Sequence, residues 1–125
     1  GKQSSLNVYG NDYDTPDGTG IRDYIHVNDL AIGHAEAFKY LERENKDLIV
    51  NLGVSKGTSV LEIIQAAEKA SGKKVPYRIV ERRSGDPASL VANPSKAFEL
   101  LGWKAKYSDI DTIIETTWKA YQANA

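Results

Sequence analysis

The spacing of apolar positions along the chain predicts several short strands. Alternation of apolar and polar residues predicts two of them, Leu6–Tyr9 and Tyr77–Val80. A largely apolar run, interrupted by Asn51, predicts a buried strand over residues 48–52, and residues 90–92 are apolar enough for another short one. Residues 21–27 favour extended backbone. Helical patterns separate most of these segments.

Two amphipathic helices are predicted between these strands. The first covers residues 29–43, with Asn28 as its N-cap. One of its faces, which we expect to point inward, carries Leu30, His34, Phe38 and Leu41. The second helix starts at the capping-box pair Ser59 and Glu62, and it stops at Gly72.

Two further helices are predicted towards the end of the chain. Asn93 and Pro94 precede a short helix that stops at Gly102. Ser108 and Asp111 are expected to cap a final helix, whose apolar residues would pack on the strands. Because strands and helices alternate, the sequence predicts an α/β fold with about four helices.

Composition and charge limit the classes of function. A chain of 125 residues has room for one domain, which we place at residues 1–125. Its 16 basic and 17 acidic residues give a net charge of -1, so we expect no binding to nucleic acid. It has no cysteine and no apolar run long enough to cross a bilayer. We therefore expect a cytoplasmic protein without disulfides, thiolate metal sites or membrane contact.

Two loops carry residue types that suit a phosphate ligand. In the first, residues 17–20 supply glycines that allow close backbone approach, and Arg22 supplies a guanidinium group that can bind phosphate through two hydrogen bonds. In the second, Arg82 and Arg83 stand near Asp86, a carboxylate that can accept hydrogen bonds from vicinal sugar hydroxyls. The alternative is structural: an ordinary turn in the first loop and a solvated Arg–Asp pair in the second.

Other residues point away from catalysis by this chain alone. We interpret His26 and His34 as structural histidines, and Trp103 and Trp118 as packing residues. No spacing of His, Asp and Glu indicates a metal site. No tyrosine has a lysine four positions later, and no glycine fingerprint for a dinucleotide is present. The chain by itself is therefore not expected to bind NAD or to transfer hydride.

One long stretch and four shorter motifs cover essentially the whole chain. The stretch runs from residue 8 to residue 31, and the motifs are Asn51-Leu52-Gly53, Ser59-Val60-Leu61-Glu62, Arg82-Arg83-Ser84-Gly85-Asp86 and Leu101-Gly102-Trp103. In this order they resemble the C-terminal third of UDP-glucose 4-epimerases, which are extended members of the short-chain dehydrogenase/reductase superfamily. The resemblance implies a small substrate-binding lobe without its Rossmann domain.

The resemblance also implies a division of roles. In the family, an N-terminal Rossmann domain binds NAD and supplies the Tyr-x-x-x-Lys base that interconverts UDP-glucose and UDP-galactose through a 4-keto intermediate. The C-terminal part holds the UDP-sugar, and the full-length enzyme is expected to be a homodimer. The substrate-binding residues that it implies here are Arg22 and Arg83 at the diphosphate, Asp86 at the ribose, Asn7, Val8 and Tyr9 at the uracil, and also Tyr24.

Leu90 is the position at which this sequence leaves the range of substrates open. Some family members carry tyrosine there and others a smaller residue, and the site is associated with room for an N-acetyl group. We expect leucine to leave partial room, so that the intact enzyme accepts N-acetylated UDP-sugars.

Two other interpretations remain. A nucleotide-sugar dehydratase or decarboxylase of the same superfamily would share the fold and the arginines, although the long match over residues 9–31 argues against it. A free-standing binding module would never have had a catalytic half. Since the chain starts at Gly1 and not at methionine, we expect an excised fragment that is inactive alone.

Overall fold

Four helices and five short strands alternate in the computed structural model, which describes residues 3–123. In chain order they are β1 (Leu6–Tyr9), β2 (Ile21–Arg22), α1 (Val27–Glu44), β3 (Thr58–Ser59), α2 (Val60–Ser71), β4 (Tyr77–Val80), β5 (Ser89–Leu90), α3 (Ser95–Leu101) and α4 (Ile110–Ala123). The outermost residues of the predicted domain, and Gly1 with them, lie outside the described range. The predicted α/β class is confirmed.

The strands form two small sheets. The predicted strands β1 and β4 are confirmed, and they pair in parallel with Leu6 opposite Tyr77. In the second sheet β2 is central: it is antiparallel to β3 and parallel to β5, which places Arg22 opposite Leu90. Since β2 and β5 are parallel, the loops that precede them lie at the same end of the sheet. The loop with residues 17–20, which we call the glycine loop, and the loop with residues 82–86, which we call the arginine loop, are thereby brought together.

Helix α2 starts and stops at the residues that the sequence indicates. Its N-cap Ser59 accepts a hydrogen bond from the Glu62 backbone N–H at 3.1 Å, and the Glu62 carboxylate accepts one from the Ser59 N–H at 2.7 Å. The helix ends at Gly72, whose φ of 66° is the left-handed conformation that glycine adopts without strain. Helix α2 packs against α4.

Helix α1 differs from its prediction at its start and in its orientation. Its N-cap is His26, not Asn28, because the His26 ring Nδ1 accepts the Asn28 backbone N–H at 3.0 Å. The face predicted to point inward is wrong: Phe38 is 61% exposed and His34 is exposed too. The helix buries its other face, where the residues include Asp29 and Gly33.

The predicted strand at residues 48–52 is also wrong. Within residues 3–123 no strand pairs with this segment, and Ile49 is 83% exposed. An extended apolar segment becomes a strand only where a neighbour accepts and donates its backbone hydrogen bonds. The described residues supply no such neighbour.

One further strand boundary and the caps of two helices also differ from their predictions. Strand β5 is Ser89–Leu90 and does not cover residues 90–92. Helix α3 has Pro94 as its N-cap without a side-chain cap. Helix α4 is preceded by Asp109, which accepts the Thr112 N–H at 2.8 Å, so Ser108 and Asp111 are not its caps. None of the helices within residues 3–123 combines the length and apolarity needed to cross a membrane.

The fully buried carboxylate of Asp29 ties the start of α1 to the segment before α4. It accepts hydrogen bonds from the backbone N–H groups of Lys106 at 3.0 Å and Tyr107 at 2.8 Å, and from the Ser108 hydroxyl at 2.6 Å. The predicted packing residue Trp103 is buried beside it and donates its ring N–H to the Asp29 carbonyl at 3.0 Å. This junction fixes the start of α1 against the segment between α3 and α4.

Candidate functional site

Four predicted ligand-binding residues meet beside the second sheet: Arg22 of β2, Tyr9 of β1, and Arg83 and Asp86 of the loop before β5. The Arg83 Nε donates a hydrogen bond to Asp86 Oδ2 at 3.1 Å, and Arg22 Nη2 lies 3.7 Å from Asp86 Oδ1. The Arg83 guanidinium also lies over the ring of Tyr9, 4.6 Å from its centroid. We call Arg22, Arg83, Asp86 and Tyr9 the arginine cluster.

The charges of the arginine cluster favour an anion. Two guanidinium groups share one carboxylate, so one positive charge remains unbalanced. The Arg83 side chain is 64% exposed and that of Arg22 27%, so both remain accessible to a ligand. Ion pairs this exposed contribute little to stability, and a phosphate that offers two parallel hydrogen bonds competes with them at low cost.

Arg82 has a different task from its neighbour Arg83, although the sequence presents them as a pair. Its guanidinium stacks on the Tyr13 ring at 4.1 Å, and its Nε donates to Asp12 Oδ1 at 2.6 Å. A second N–H group of Arg82 donates to the Asp12 carbonyl oxygen. Arg82 therefore joins the two loops, while Arg83 faces the cluster.

The glycine loop is held by a network that sequence reasoning missed. Asp17 accepts hydrogen bonds from the Thr19 N–H at 2.9 Å, from the Thr19 hydroxyl at 2.7 Å, and from the Ser59 hydroxyl at the start of α2. Burial alone would raise the pKa of Asp17, but these hydrogen bonds outweigh it and hold the pKa below its ordinary value of 3.8. The Asp-x-Thr spacing, typical of a turn closed by a side chain, was the available signal.

Replacing Gly18 with alanine is expected to break this loop. Gly18 has a φ of +78°, and a Cβ added there would overlap the backbone carbonyl oxygen of Asn11. Strain at such a position costs about 1 to 3 kcal/mol, and the clash adds to it. Urea unfolding of Gly18→Ala should show the loss, whereas Gly85→Ala, also at positive φ but with no atom within 4 Å of the added Cβ, should cost less. Equal costs would contradict the account.

The other predicted substrate residues lie apart from the arginine cluster to different degrees. Leu90 is exposed and lies opposite Arg22 across the strand pair. The Asn7 side-chain oxygen accepts a hydrogen bond from Arg78 Nε at 2.7 Å, and the side chain of Val8 is buried. Only the backbone of Val8 can therefore meet a ligand. Tyr24 lines a separate cavity with Lys56 and Ser108.

The glycine loop lacks the setting of a dinucleotide-binding loop, in line with the resemblance, which places NAD in the preceding Rossmann domain. A dinucleotide pyrophosphate binds where a glycine-rich turn opens a helix, because the helix N-terminus offers free N–H groups. Here the loop leads into strand β2, and the nearby N-terminus of α2 already receives Ser59 and Thr19. Among residues 3–123, no group of three His, Asp or Glu side chains could hold a metal ion.

Comparison with known proteins finds the same relatives by sequence and by fold. Human UDP-glucose 4-epimerase is 53% identical over 124 residues, with 99% of this chain and 35% of that protein covered. The Lacticaseibacillus casei UDP-glucose 4-epimerase is 48% identical over 122 residues, with 98% of this chain and 37% of that protein covered. The chain therefore spans about a third of the length of these curated relatives, and it matches a C-terminal part of them.

Two solved structures show what such relatives bind. The UDP-glucose 4-epimerase of Stenotrophomonas maltophila, with bound NAD and formylated UDP-arabinopyranose, superposes with a TM-score of 0.92 at 45% identity, covering 99% of this chain and 38% of that one. The Bifidobacterium longum enzyme, in complex with NAD+ and UDP, gives 0.86 at 46% identity, covering 99% and 37%. The family model described as GDP-mannose 4,6 dehydratase matches residues 1–117. The chain therefore belongs to the family that this model describes, and within it the chain is similar to a C-terminal part of the UDP-glucose 4-epimerases.

Proposed function

We propose that this chain is the UDP-hexose-binding part of an enzyme that interconverts UDP-glucose and UDP-galactose. The observation that carries the proposal is the arginine cluster. In it Arg22 of β2 and Arg83 of the loop before β5, about 60 residues apart in sequence, both contact Asp86. We propose that a longer polypeptide carries this chain at its C-terminal end, and we call that polypeptide the complete protein.

Each residue of the cluster has a role that fits its chemistry. Arg22 and Arg83 bind the diphosphate, since guanidinium groups match phosphate oxygens in pairs. Asp86 then exchanges its arginine contacts for the ribose hydroxyls, which can donate two hydrogen bonds to a carboxylate. Residues 7–9 lie beside the cluster through the contact of Tyr9 with Arg83, and they meet the uracil. The assignment of Tyr24 to the substrate is retained without such a contact.

The position of the anchors suits an epimerase. The reaction removes hydride from C4 of the hexose and returns it to the opposite face, so the keto sugar must turn within the site. Tight contacts to the hexose would prevent that movement. Binding energy must therefore come from the nucleotide end, where the exposed guanidinium groups are found.

The base and the NAD site are assigned to a Rossmann domain that precedes this chain in the complete protein. NAD supplies hydride transfer when it is bound there. The exposed apolar residues of α1 and the unpaired segment at residues 48–52 are the surface that we assign to contact with that domain. Its most exposed large side chains are Ile49, Val27 and Phe38. We propose a homodimer for the complete protein on the basis of the resemblance alone.

Replacing Phe38 with serine should destabilise the complete protein by about 2 to 3 kcal/mol if this contact forms. Lys39→Ser is the matched control, because Lys39 is exposed on the same helix and forms an ion pair with Glu36. The measurement is the thermal unfolding midpoint of each variant. If both variants unfold at the same temperature, Phe38 is not covered in the complete protein.

Replacing Leu90 with tyrosine should narrow the range of substrates. Leu90 is exposed beside Arg22, and we propose that it leaves partial room for an N-acetyl group. The kcat/KM for UDP-N-acetylglucosamine should fall about tenfold or more in Leu90→Tyr, while that for UDP-galactose changes little. Equal rejection of UDP-N-acetylglucosamine by both enzymes would refute the role of this residue.

Titration calorimetry with UDP tests the proposed function. The complete protein should bind UDP, and the 125-residue chain should bind it feebly or not at all, because half of the walls of the site belong to the preceding domain. A complete protein that does not bind UDP would overturn the proposal. A dehydratase of the same family would bind the nucleotide too, but it would release a 4-keto-6-deoxy sugar and no UDP-glucose.

A further inference from the structure

The carboxylate of Asp23 lies directly after Arg22, the proposed diphosphate anchor, and is not part of the arginine cluster. Asp23 follows Arg22 at the end of β2, and its Oδ1 accepts the Val54 backbone N–H at 3.1 Å. Its Oδ2 accepts the Ala92 backbone N–H at 3.2 Å, and its own N–H donates to the Leu90 carbonyl at 3.2 Å. One residue therefore joins three segments of the chain.

The backbone of Gly53 packs closely against the Asp23 carboxylate. Gly53 is buried, and a Cβ added there would lie 2.6 Å from Asp23 Oδ2 and 2.7 Å from the Cβ of Ala92. Real Cβ atoms do not come so close to other atoms, so only glycine leaves the slot open. Asp23 therefore occupies a slot that glycine keeps open, and its carboxylate accepts hydrogen bonds from the backbone N–H groups of Val54 and Ala92.

The strand pair that carries the cluster needs such support. β2 and β5 have two residues each, and the backbone bonds that flank Arg22 are Ile21 N–H to Ala88 O at 2.8 Å and Asp23 N–H to Leu90 O. Because the β2–β5 pair is so short, few hydrogen bonds oppose a shift of one strand along the other. A shift by one residue would turn the side chains of the shifted strand to the other face of the sheet. The hydrogen bond from the Ala92 N–H to the Asp23 side chain adds a further link beyond the end of β5. The register that it fixes also decides where Asp86, which precedes β5, meets Arg22.

We propose that Asp23 is a positioning residue that holds Arg22 in register with Asp86 and Leu90, and so sets the affinity of the site for a nucleoside diphosphate sugar. This inference rests on the proposed function and deepens it. Because Asp23 acts on the nucleotide anchors and not on the hexose, its loss raises the KM of the UDP-sugar and leaves kcat almost unchanged.

The first test compares Asp23→Ala and Asp23→Asn with the wild-type complete protein, loaded with NAD. Alanine removes both acceptors, whereas asparagine keeps its size and one carbonyl oxygen. We expect the Kd of UDP and the KM of UDP-galactose to rise about tenfold in the alanine variant and about threefold in the asparagine variant, with kcat within about twofold. Asp47→Ala, an exposed carboxylate after α1, is the control and should match the wild type.

The second test separates positioning from a general effect on folding. If Asp23 acts through Arg22, Asp23→Ala should weaken UDP binding in the wild-type background but not in Arg22→Ala, so the two effects are not additive. The asparagine variant serves in the same cycle if the alanine variant does not fold. Additive effects, or an unchanged Kd in an active enzyme, overturn this inference alone. A wild-type protein that neither binds UDP nor converts UDP-galactose overturns the proposed function, and this inference with it.

Discussion

Replacing Arg83 with alanine is expected to weaken the binding of UDP to the complete protein by about 10- to 100-fold. A charge-assisted hydrogen bond contributes about 1.5 to 3 kcal/mol, and each 1.4 kcal/mol corresponds to tenfold in affinity. The exposed guanidinium of Arg83 lies at the open side of the cluster, so the loss of its bonds to phosphate should not be masked by unfolding. Titration calorimetry with UDP measures the change.

Matched variants make this prediction specific. Arg83→Lys keeps the charge but loses the planar fork, so its loss of affinity should be smaller. Arg43→Ala removes an arginine that pairs with Glu44 at the end of α1, and it should bind UDP like the wild type. If Arg83→Ala binds UDP with unchanged affinity, the loop does not bind the diphosphate, and Arg83 and Asp86 are only a solvated ion pair.

The largest expected loss of stability follows from replacing Asp29 with alanine. The substitution removes a fully buried carboxylate, which is the acceptor for two backbone N–H groups and one hydroxyl. Unsatisfied buried donors cost about 1 to 3 kcal/mol each, and since water can reach part of the new cavity we expect about 3 kcal/mol in total. Urea unfolding followed by circular dichroism measures it, and Asp47→Ala is the control.

The pH dependence of Asp29 offers a further check on the same junction. Burial would raise the pKa of Asp29, but the hydrogen bonds from Ser108, Lys106 and Tyr107 and the charge of His26 hold it below its ordinary value of 3.8. Because the pKa of Asp29 is lower in the folded than in the unfolded chain, its ionised carboxylate stabilises the fold fully above pH 3.8. This contribution is lost as the pH falls through the pKa of the folded state. The difference in unfolding free energy between the wild type and Asp29→Asn should therefore shrink on acidification. A difference that stays constant with pH would show that the charge is not involved.

Local signals in the sequence predicted those parts of the fold that local chemistry decides. The Ser59 and Glu62 capping box and Gly72 set both ends of α2 without help from distant residues. The strands β1 and β4 alternate as expected and pair with each other inside the chain. The arginine cluster could be expected from motif order, and the parallel pairing of β2 with β5 brings its loops together.

Errors arose where the outcome depends on a partner or on a side chain far away in sequence. Residues 48–52 have the composition of a buried strand, but among residues 3–123 no neighbouring strand is available to them. The prediction of the inner face of α1 was wrong because the hydrogen bonds of Asp29 determine which face is buried. Asp29 accepts them from three donors in a segment more than 70 residues away. The roles of Asp17 and Asp23 likewise depend on contacts with Ser59, Val54 and Ala92 that spacing does not reveal.

A coupled assay of UDP-galactose conversion, run in parallel on the complete protein and on the 125-residue chain with added NAD, tests the central claim most directly. We predict that the complete protein forms UDP-glucose and that the chain alone forms none. We also predict that Arg22→Ala and Arg83→Ala raise the KM of the complete protein. Turnover by the isolated chain, or a complete protein that binds UDP-galactose without converting it, would contradict the account.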